Sequence, residues 1–470
     1  MKKITKLLLT AIVLLTAHTA THGAKREKET KFVESKQTIT HPSTLFNAED
    51  FERVRQHIAE ADDNDLVYAS FKYFSQKSKY TNLNHKINPQ EYFSRSKMVD
   101  GRDQNFLIAA RDASHAIQCA MMWRLLSASD PTKAKAYADK AVLTLNAWAT
   151  TCIEGGGRIS DRFLGFGYQG YQFGVAGDLL QGYEGWSAED IKRYNTWLKK
   201  IFYSNNKVFL KGTWRTNCDF HYWTNWPLAN MASALAIGIC TEDQDIINFA
   251  LKQFYSGHHN GGLKYMVHGE GFADPDSKSK SLLAQCQESG RDQGHTMIDV
   301  VLGAEFCQMA YNQGIDLFGH EDNRILQMFE YCAKYNARRI DYPKVWVSDF
   351  KDFSPRDWLM DGSKMPFTEY TYCPHDCECT GKCGPKELTK VSETGRGGLR
   401  SSWHLIYNHY VKVKGMDEAY CYYSKIAAEQ TIYSKEGELV GDPGAGDAIR
   451  RGDNSSAFDQ IGWSSMMFTR

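Results

Sequence analysis

The chain predicts an all-α fold, a single large domain in which antiparallel helix pairs form an α/α toroid. Three observations carry that expectation. Helical apolar periodicity recurs from residue 112 to about residue 333. Gly-containing breaks separate most of the periodic segments, and no block of alternating apolar and polar residues, the mark of strands, interrupts the series. With 42% hydrophobic and 13% aromatic residues, the 470-residue chain has enough apolar material for one large core or two ordinary domains, and the unbroken helical series favours one.

From the N-terminus, Lys2, Lys3 and Lys6 precede an apolar run over residues 7–17 and then small and polar residues up to Ala24. That order predicts a secretory signal peptide over residues 1–24. The run is too short to cross a bilayer, which takes ~20 apolar residues, and no later stretch is longer. The mature chain is therefore expected outside the cytoplasm, periplasmic or extracellular, without membrane insertion. Residues 25–45 read as a charged lead-in and residues 46–470 as the toroid.

Residues 130–150 give the clearest helix. Ala134, Tyr137, Ala138, Ala141, Val142, Leu145, Trp148 and Ala149 repeat at three and four residues, Asp130 can cap the helix, and Pro131 fits its first turn. A second helix begins at Ser187, with Asp190 three residues on and Trp186 and Ile191 placed as a hydrophobic staple; Ile191, Tyr194, Leu198, Ile201 and Phe202 then share a face. Further periodic segments cover residues 112–126, 227–239, 245–255, 296–311, 323–335 and 399–413. Residues 342–396 dissolve into Pro, Gly, Cys and charge, an irregular loop suited to rim a site. The tail after Gly437 is rich in Gly and Asp and shows little periodicity.

Formal net charge is zero, from 56 basic and 56 acidic residues, so no bulk field points to nucleic acid or a membrane surface. A polyanionic partner has to meet a local basic site. Of 12 cysteines, Cys119, Cys240, Cys307 and Cys332 fall in helical patterns, where a thiol behaves as a small apolar group. Cys373, Cys377, Cys379 and Cys383 crowd with His375 into one loop. Oxidising export favours one or two disulfides there, with a structural metal and free thiols as the alternatives.

Four polar clusters lie at helix ends or inside apolar segments, where polar groups are costly unless used. GFGYQGYQFGVAGD (165–178) sets Gln169 and Gln172 among aromatics. NCDFHYWTNWPLAN (217–230) holds His221, Tyr222, Trp223, Asn225 and Trp226. QESGRDQGHT (287–296) places Arg291, Gln293 and His295 just ahead of a helix, and YNHY (407–410) supplies Tyr407, His409 and Tyr410. Plain structural uses exist for most of these: Gln169 and Gln172 can bond helix ends, His221 can be a satisfied core histidine, and the YNHY aromatics can be core. QESGRDQGHT resists that treatment, because its ionisable and amide side chains exceed what capping needs.

These motifs, taken with DASHAIQCAMMWRLL, KAVLTLNAWAT, AYNQGIDLFG and YNHYVKVKGM, resemble the alginate lyase superfamily, and within it the Bacteroidetes-type branch of uronan lyases, from about Phe106 to Met416. The resemblance implies an α/α toroid, an exported polysaccharide lyase, and alginate or a related polyuronate as substrate. Two positions depart from the superfamily pattern. Better-known members place a His directly after the catalytic Asn, where this chain has Trp226 after Asn225, and a Tyr seven residues after the Arg, where this chain has Ile298.

β-Elimination takes the proton next to a uronate carboxylate and so builds a second negative charge beside the first. Amide and guanidinium donors stabilise that charge as it develops. A His or Tyr near the proton serves as base and one near the bridging oxygen as acid, each contributing ~10²–10⁴-fold. The expected inventory is Asn225 and Arg291 on the carboxylate, and His221, His295, Tyr407 and Tyr410 as the pool for base and acid. Gln169, Gln172, Tyr222, Trp226, Gln293 and His409 are expected to contact sugars. A glycoside hydrolase would instead need two carboxylates ~5–10 Å apart. Asp219, Glu288 and Asp292 are its candidates, but they sit among amides and cations suited to holding a carboxylate. A non-catalytic glycan binder would keep the aromatics and Arg291 without needing a His and a Tyr beside them.

No cofactor or metal takes part in the expected chemistry. A chelator should therefore leave turnover intact, whatever a metal in the 373–383 loop contributes to stability. Activity lost at unchanged folding and restored by zinc contradicts this.

Overall fold

The computed structural model describes residues 32, 34–212, 220–340, 355–372, 386–444, 446–447 and 458–470. The expected signal peptide, the cluster of Cys373, Cys377, Cys379, Cys383 and His375, and Asp219 lie outside the described residues. The described residues from Glu34 to Arg470 belong to one compact unit, which carries the architecture below.

Helices α1 (Ala48–Glu60) and α2 (Leu66–Lys77) open this unit. The long pairs follow: α3 (Phe106–Leu126) with α4 (Pro131–Thr151), α5 (Asp161–Leu180) with α6 (Ala188–Leu198) and α7 (Ser204–Leu210), then α8 (Asn225–Cys240) with α9 (Gln244–Ser256). After the short α10 (Leu263–Met266) come α11 (Gln293–Asn312) with α12 (His320–Asn336), α13 (Trp403–Asn408) with α14 (Tyr422–Gln430), and α15 (Ser464–Phe468). Strands among the described residues form only two-stranded ribbons: β1 (Tyr92–Phe93) parallel to β2 (Glu154–Gly155), and, antiparallel, β3 (Val267–Phe272) with β4 (Leu283–Cys286) and β5 (Tyr370–Tyr372) with β6 (Lys386–Leu388). The capping expectations hold: Asp130 accepts the Lys133 N–H at the start of α4, and Ser187 accepts the Asp190 N–H at the start of α6.

Members of the pairs differ in burial. Helices α3, α5, α8 and α11 are buried nearly all round, whereas α4, α6 and α9 bury one face. A helix apolar on one stripe belongs outside and one apolar all round belongs inside. Packing runs from α1 to α3, α5, α8 and α11, on through α12, α14, α13 and α15, and back to α1. The helices of this unit thus complete a circuit with the all-round-buried members inside, the α/α toroid that the periodicity predicts.

Helix α5 is hard to read from sequence, because Gly165, Gly167, Gly170, Gly174 and Gly177 depress helix propensity. The seam with α8 needs them. A Cβ at Gly167 would lie 2.9 Å from the Ala229 backbone, and one at Gly174 would lie 2.9 Å from the Ala236 side chain. Two terminal stretches also belong to the unit. Residues 34–45, expected as a polar lead-in, are tied to α5: Asp178 accepts from the Ser43 N–H (2.9 Å), the Thr44 N–H (2.7 Å) and the Thr44 hydroxyl (2.7 Å). In the Gly- and Asp-rich tail, Ile461, Trp463, Met466 and Met467 are fully buried. Asp442 fastens it by accepting the Ser465 N–H (2.7 Å) and hydroxyl (2.6 Å). The cysteines Cys119, Cys240, Cys307 and Cys332 are buried and free, in keeping with their helical settings. No helix among the described residues is long and apolar enough to cross a membrane.

With the α5–α8 seam this close, Gly167→Val should force the two backbones apart and cost ~1–3 kcal/mol. The urea midpoint reads the loss, and an unchanged midpoint would show that the seam has room.

Candidate active site

From β4 the chain passes through a turn at residues 287–292, where the Arg291 and Asp292 N–H groups bond the Glu288 carbonyl at 2.8 and 3.3 Å. It then enters α11, whose cap is Asp292: Oδ1 accepts the His295 N–H at 2.8 Å. The other oxygen, Oδ2, meets His295 Nδ1 at 2.7 Å, and Arg291 Nη2 lies 3.2 Å from His295 Nε2. Arginine only donates, so Nε2 accepts and the ring proton sits on Nδ1, facing Asp292. Burial works to raise the Asp292 carboxyl, but the His295 ring and backbone N–H hold it below the usual carboxylate range.

The same turn reaches across to α8. Gln287 Oε1 accepts the Thr224 N–H at 3.2 Å and the Thr224 hydroxyl at 3.1 Å. Glu288 Oε1 accepts the Asn225 N–H at 2.8 Å and Asn225 Nδ2 at 2.7 Å, while Oε2 meets Arg291 Nη1 at 2.7 Å. The N-terminus of α8 has no side-chain cap of its own, and these two side chains satisfy its first donors from another part of the chain. Burial pushes the Glu288 carboxyl up, opposed by Arg291, His295 and the Asn225 N–H. Burial and the Glu288 charge drive Asp299 on α11 well above the carboxylate range, so Asp299 is the one that keeps its proton.

Beside this constellation lies a cavity of about 250 Å³. Asn225 lines it from α8, Asp292, His295 and Ile298 from the start of α11, Tyr168 from α5, and Arg95, Arg400 and Asp459 from loops. Arg400 is paired with Asp459. Arg95 makes no ion pair with any described carboxylate; its guanidinium lies over the rings of Phe106 (4.8 Å) and Tyr168 (5.7 Å). Burial lowers its pKa, against the pull of Tyr168 and Asp161. Burial raises the Tyr168 phenol above its ordinary value, with Arg95 and Arg400 opposing, so it holds its proton at neutral pH. A desolvated cation beside an open volume favours the arrival of an anion.

Of the residues expected from sequence, the structure brings Asn225, Arg291 and His295 together. Arg291 is engaged by Glu288 and His295, and it lies 5.0 Å from the Trp223 ring, itself stacked on Tyr372 at 3.8 Å. Gln293 is buried and fully used: Nε2 donates to the Ser289 and Ser392 carbonyls, and Oε1 accepts from Asn336. His221 is half-buried, with its pKa lowered by burial, and its carbonyl accepts the Tyr372 hydroxyl. Tyr222 packs on Trp226 at 4.9 Å and on His221 at 4.6 Å, and none of the three lines the cavity. Gln172 donates to the Phe458 carbonyl at 2.6 Å; Gln169 is likewise buried, and neither lines the cavity.

The YNHY residues stand apart from the cavity. Tyr410 is fully buried and donates to the Phe318 carbonyl at 2.9 Å. His409 stacks on Phe318 at 3.8 Å, its pKa pushed down to about 3 by burial, and Tyr407 donates to Glu418 at 2.5 Å. The reason is distance along the chain: Arg400 meets the cavity ahead of α13, whereas YNHY follows at least seven residues later, roughly 10 Å of helix away. Sequence reasoning passed over Arg95, Arg400 and Tyr168. Tyr168 lies inside GFGYQG, next to the glutamines that drew notice, whereas Arg95 in FSRSK and Arg400 in GGLRSS carry no signal that separates them from surface arginines. Ile298, at the position where the superfamily pattern has a Tyr, lines the cavity together with Tyr168 of α5. Among the described residues no group of three or more His, Cys, Asp or Glu is placed to hold a metal ion.

Comparison with known proteins adds a family. The sequence matches the family model described as alginate lyase over residues 16–346, well over half of the chain. No curated protein matches it. Among solved structures, alginate lyase A1-III from Sphingomonas species A1 is similar at 15% identity, covering 60% of this chain and 77% of that chain with a TM-score of 0.42. An alginate lyase from Bacteroides ovatus is similar at 14% identity, covering 62% and 83% with a TM-score of 0.40. An unsaturated glucuronyl hydrolase from Streptococcus agalactiae is similar at 12% identity, covering 94% and 98% with a TM-score of 0.35.

The placement of YNHY gives a direct check. Tyr410→Phe removes one buried hydrogen bond and should cost ~1 kcal/mol of stability, plus any penalty for leaving the Phe318 carbonyl unpaired, with kcat unchanged. A large loss of kcat at intact folding would put Tyr410 at the reaction centre.

Proposed function

The chain belongs to the alginate lyase family, and from that premise we propose that this polysaccharide lyase is exported and cleaves alginate or a related polyuronate by β-elimination in the cavity beside α5, α8 and α11. One observation carries the reading: Arg95, desolvated and without a described carboxylate partner, lines a cavity together with an amide, a phenol and an imidazole. A uronate carboxylate set against Arg95 and the remaining Nδ2 hydrogen of Asn225 has its charge matched. The same donors stabilise the second charge that builds as C5 loses its proton. Arg291, expected on the carboxylate, is held by Glu288 and His295, and Arg95 takes that place in this reading.

His295 receives the C5 proton at Nε2 once Arg291 yields that nitrogen. Tyr168 gives its phenolic proton to the bridging oxygen as the C4–O bond breaks, the electron pair leaving with that oxygen while C4 and C5 become doubly bonded. One proton enters the base and one leaves the acid; no water is consumed. Among the described residues, the carboxylates a hydrolase would need at this cavity are otherwise engaged: Glu288 by Arg291 and Asn225, Asp292 by His295, and Asp459 by Arg400.

Incubation with polymannuronate, polyguluronate and glucuronan, followed by ultraviolet absorbance of an unsaturated uronate end, is expected to reveal at least one substrate. On that polymer, Arg95→Ala should lower kcat/KM by ~10²–10³-fold and Tyr168→Phe should lower kcat by ~10²-fold or more, with both variants folded by circular dichroism. Since burial keeps Tyr168 protonated, activity should fall on the alkaline side only above ~10, the ordinary value for a phenol. Near-normal turnover in both variants sinks the residue assignment, and a panel without absorbance sinks the reaction.

A further inference from the structure

We propose that Glu288 is a positioning residue for this elimination, a buried carboxylate that fixes Asn225 at the start of α8 and Arg291 ahead of α11 in one mutual arrangement; the inference rests on the functional reading above. Glu288 and Asn225 are 63 positions apart in sequence and make two hydrogen bonds, through the Asn225 N–H and Nδ2. The third donor, Arg291 Nη1, comes from three residues on in the same turn and continues through Nη2 to His295 Nε2. One side chain thereby touches a cavity-lining amide directly and the imidazole through a single guanidinium.

The chemistry of a carboxylate makes this arrangement directional. An ionised carboxylate accepts and never donates, so the Asn225 amide must turn its nitrogen toward Glu288 and its oxygen away. That oxygen, Oδ1, is buried and finds no partner among the described residues, an orientation the amide would not choose without Glu288. Capping alone does not account for the contacts. A carboxylate at a helix N-terminus needs only the Asn225 N–H to satisfy the helix and its dipole; the bonds to Nδ2 and to Arg291 add nothing to a cap. Gln287 holds Thr224 next door, so α8 keeps a cap when Glu288 is altered. Asp299, the other buried acid nearby, is driven well above the carboxylate range by burial and by the Glu288 charge, whereas Glu288 is met by three N–H donors, Arg291 among them.

Glu288→Gln keeps the shape and changes the pattern. Its amide nitrogen can only donate, so it faces either Asn225 or Arg291 donor to donor, and that partner turns away. A crystal structure of the variant should show Asn225 or Arg291 displaced. On the polymer that the wild type cleaves, kcat per folded molecule should fall ~10–100-fold, as expected for a misplacement of ~1 Å, with KM little changed. Glu288→Asp retains the charge and should regain part of the lost kcat, which a purely structural role at equal stability would not produce. Asn225 and Arg291 unmoved in the Glu288→Gln structure, or kcat per folded molecule close to wild type, overturns the proposal. If the wild type cleaves no polyuronate, the functional reading fails, and the variant's crystal structure still decides whether Glu288 positions these two groups.

Discussion

Glu288 has no solvent to hydrogen-bond with and must find every donor inside the protein, and it finds them at the starts of two different inner helices. That requirement constrains more than one residue. Removing a partner from a buried charge costs ~3–5 kcal/mol, so Asn225 and Arg291 cannot drift apart without a penalty comparable to much of a protein's net stability. The turn at residues 287–292 is therefore tied at both ends, by Glu288 to α8 and by Asp292 to α11. His295 inherits its orientation from the second tie and its Nε2 contact from Arg291. The site is a network that follows from one desolvated anion.

The toroid supplies the setting in which such a network closes. In inner helices buried all round a polar group must find its partner inside the protein, and the residues that line the cavity from α8 and α11 lie within the first two turns of those helices. Tyr168 comes from the body of α5, which lies against α8 because glycines face that seam. Loops complete the enclosure with two arginines of different standing: Arg400, already paired with Asp459, and Arg95, without an ion pair to any described carboxylate. The difference gives the cavity a preferred place for an incoming negative charge.

The helices legible in the sequence are those whose apolar residues repeat cleanly and whose caps are conventional, as with Asp130 and Ser187. What escaped notice did so for physical reasons. The glycines that let α5 approach α8 are the residues that argue against a helix when neighbours are unknown. Burial of the tail through Trp463 and Met467 depends on contacts far away in sequence, which no local pattern records. Within the site, QESGRDQGHT stood out because its charge density exceeds capping needs, and it supplies Glu288, Arg291, Asp292 and His295. YNHY stands out by its composition and as part of the resemblance, yet its hydroxyls bond Phe318 and Glu418 away from the cavity. A lone arginine such as Arg95 becomes informative only when it is seen beside a cavity without an ion pair to any described carboxylate.

Elimination and hydrolysis differ in the fate of water, so the most direct measurement is cleavage of the accepted polyuronate in heavy-oxygen water, with products sampled early and weighed by mass spectrometry. Elimination at this cavity predicts fragments that carry no heavy oxygen from the solvent, one of each pair having an unsaturated uronate end. One heavy oxygen gained per bond cleaved, with saturated ends on both fragments, would contradict the account.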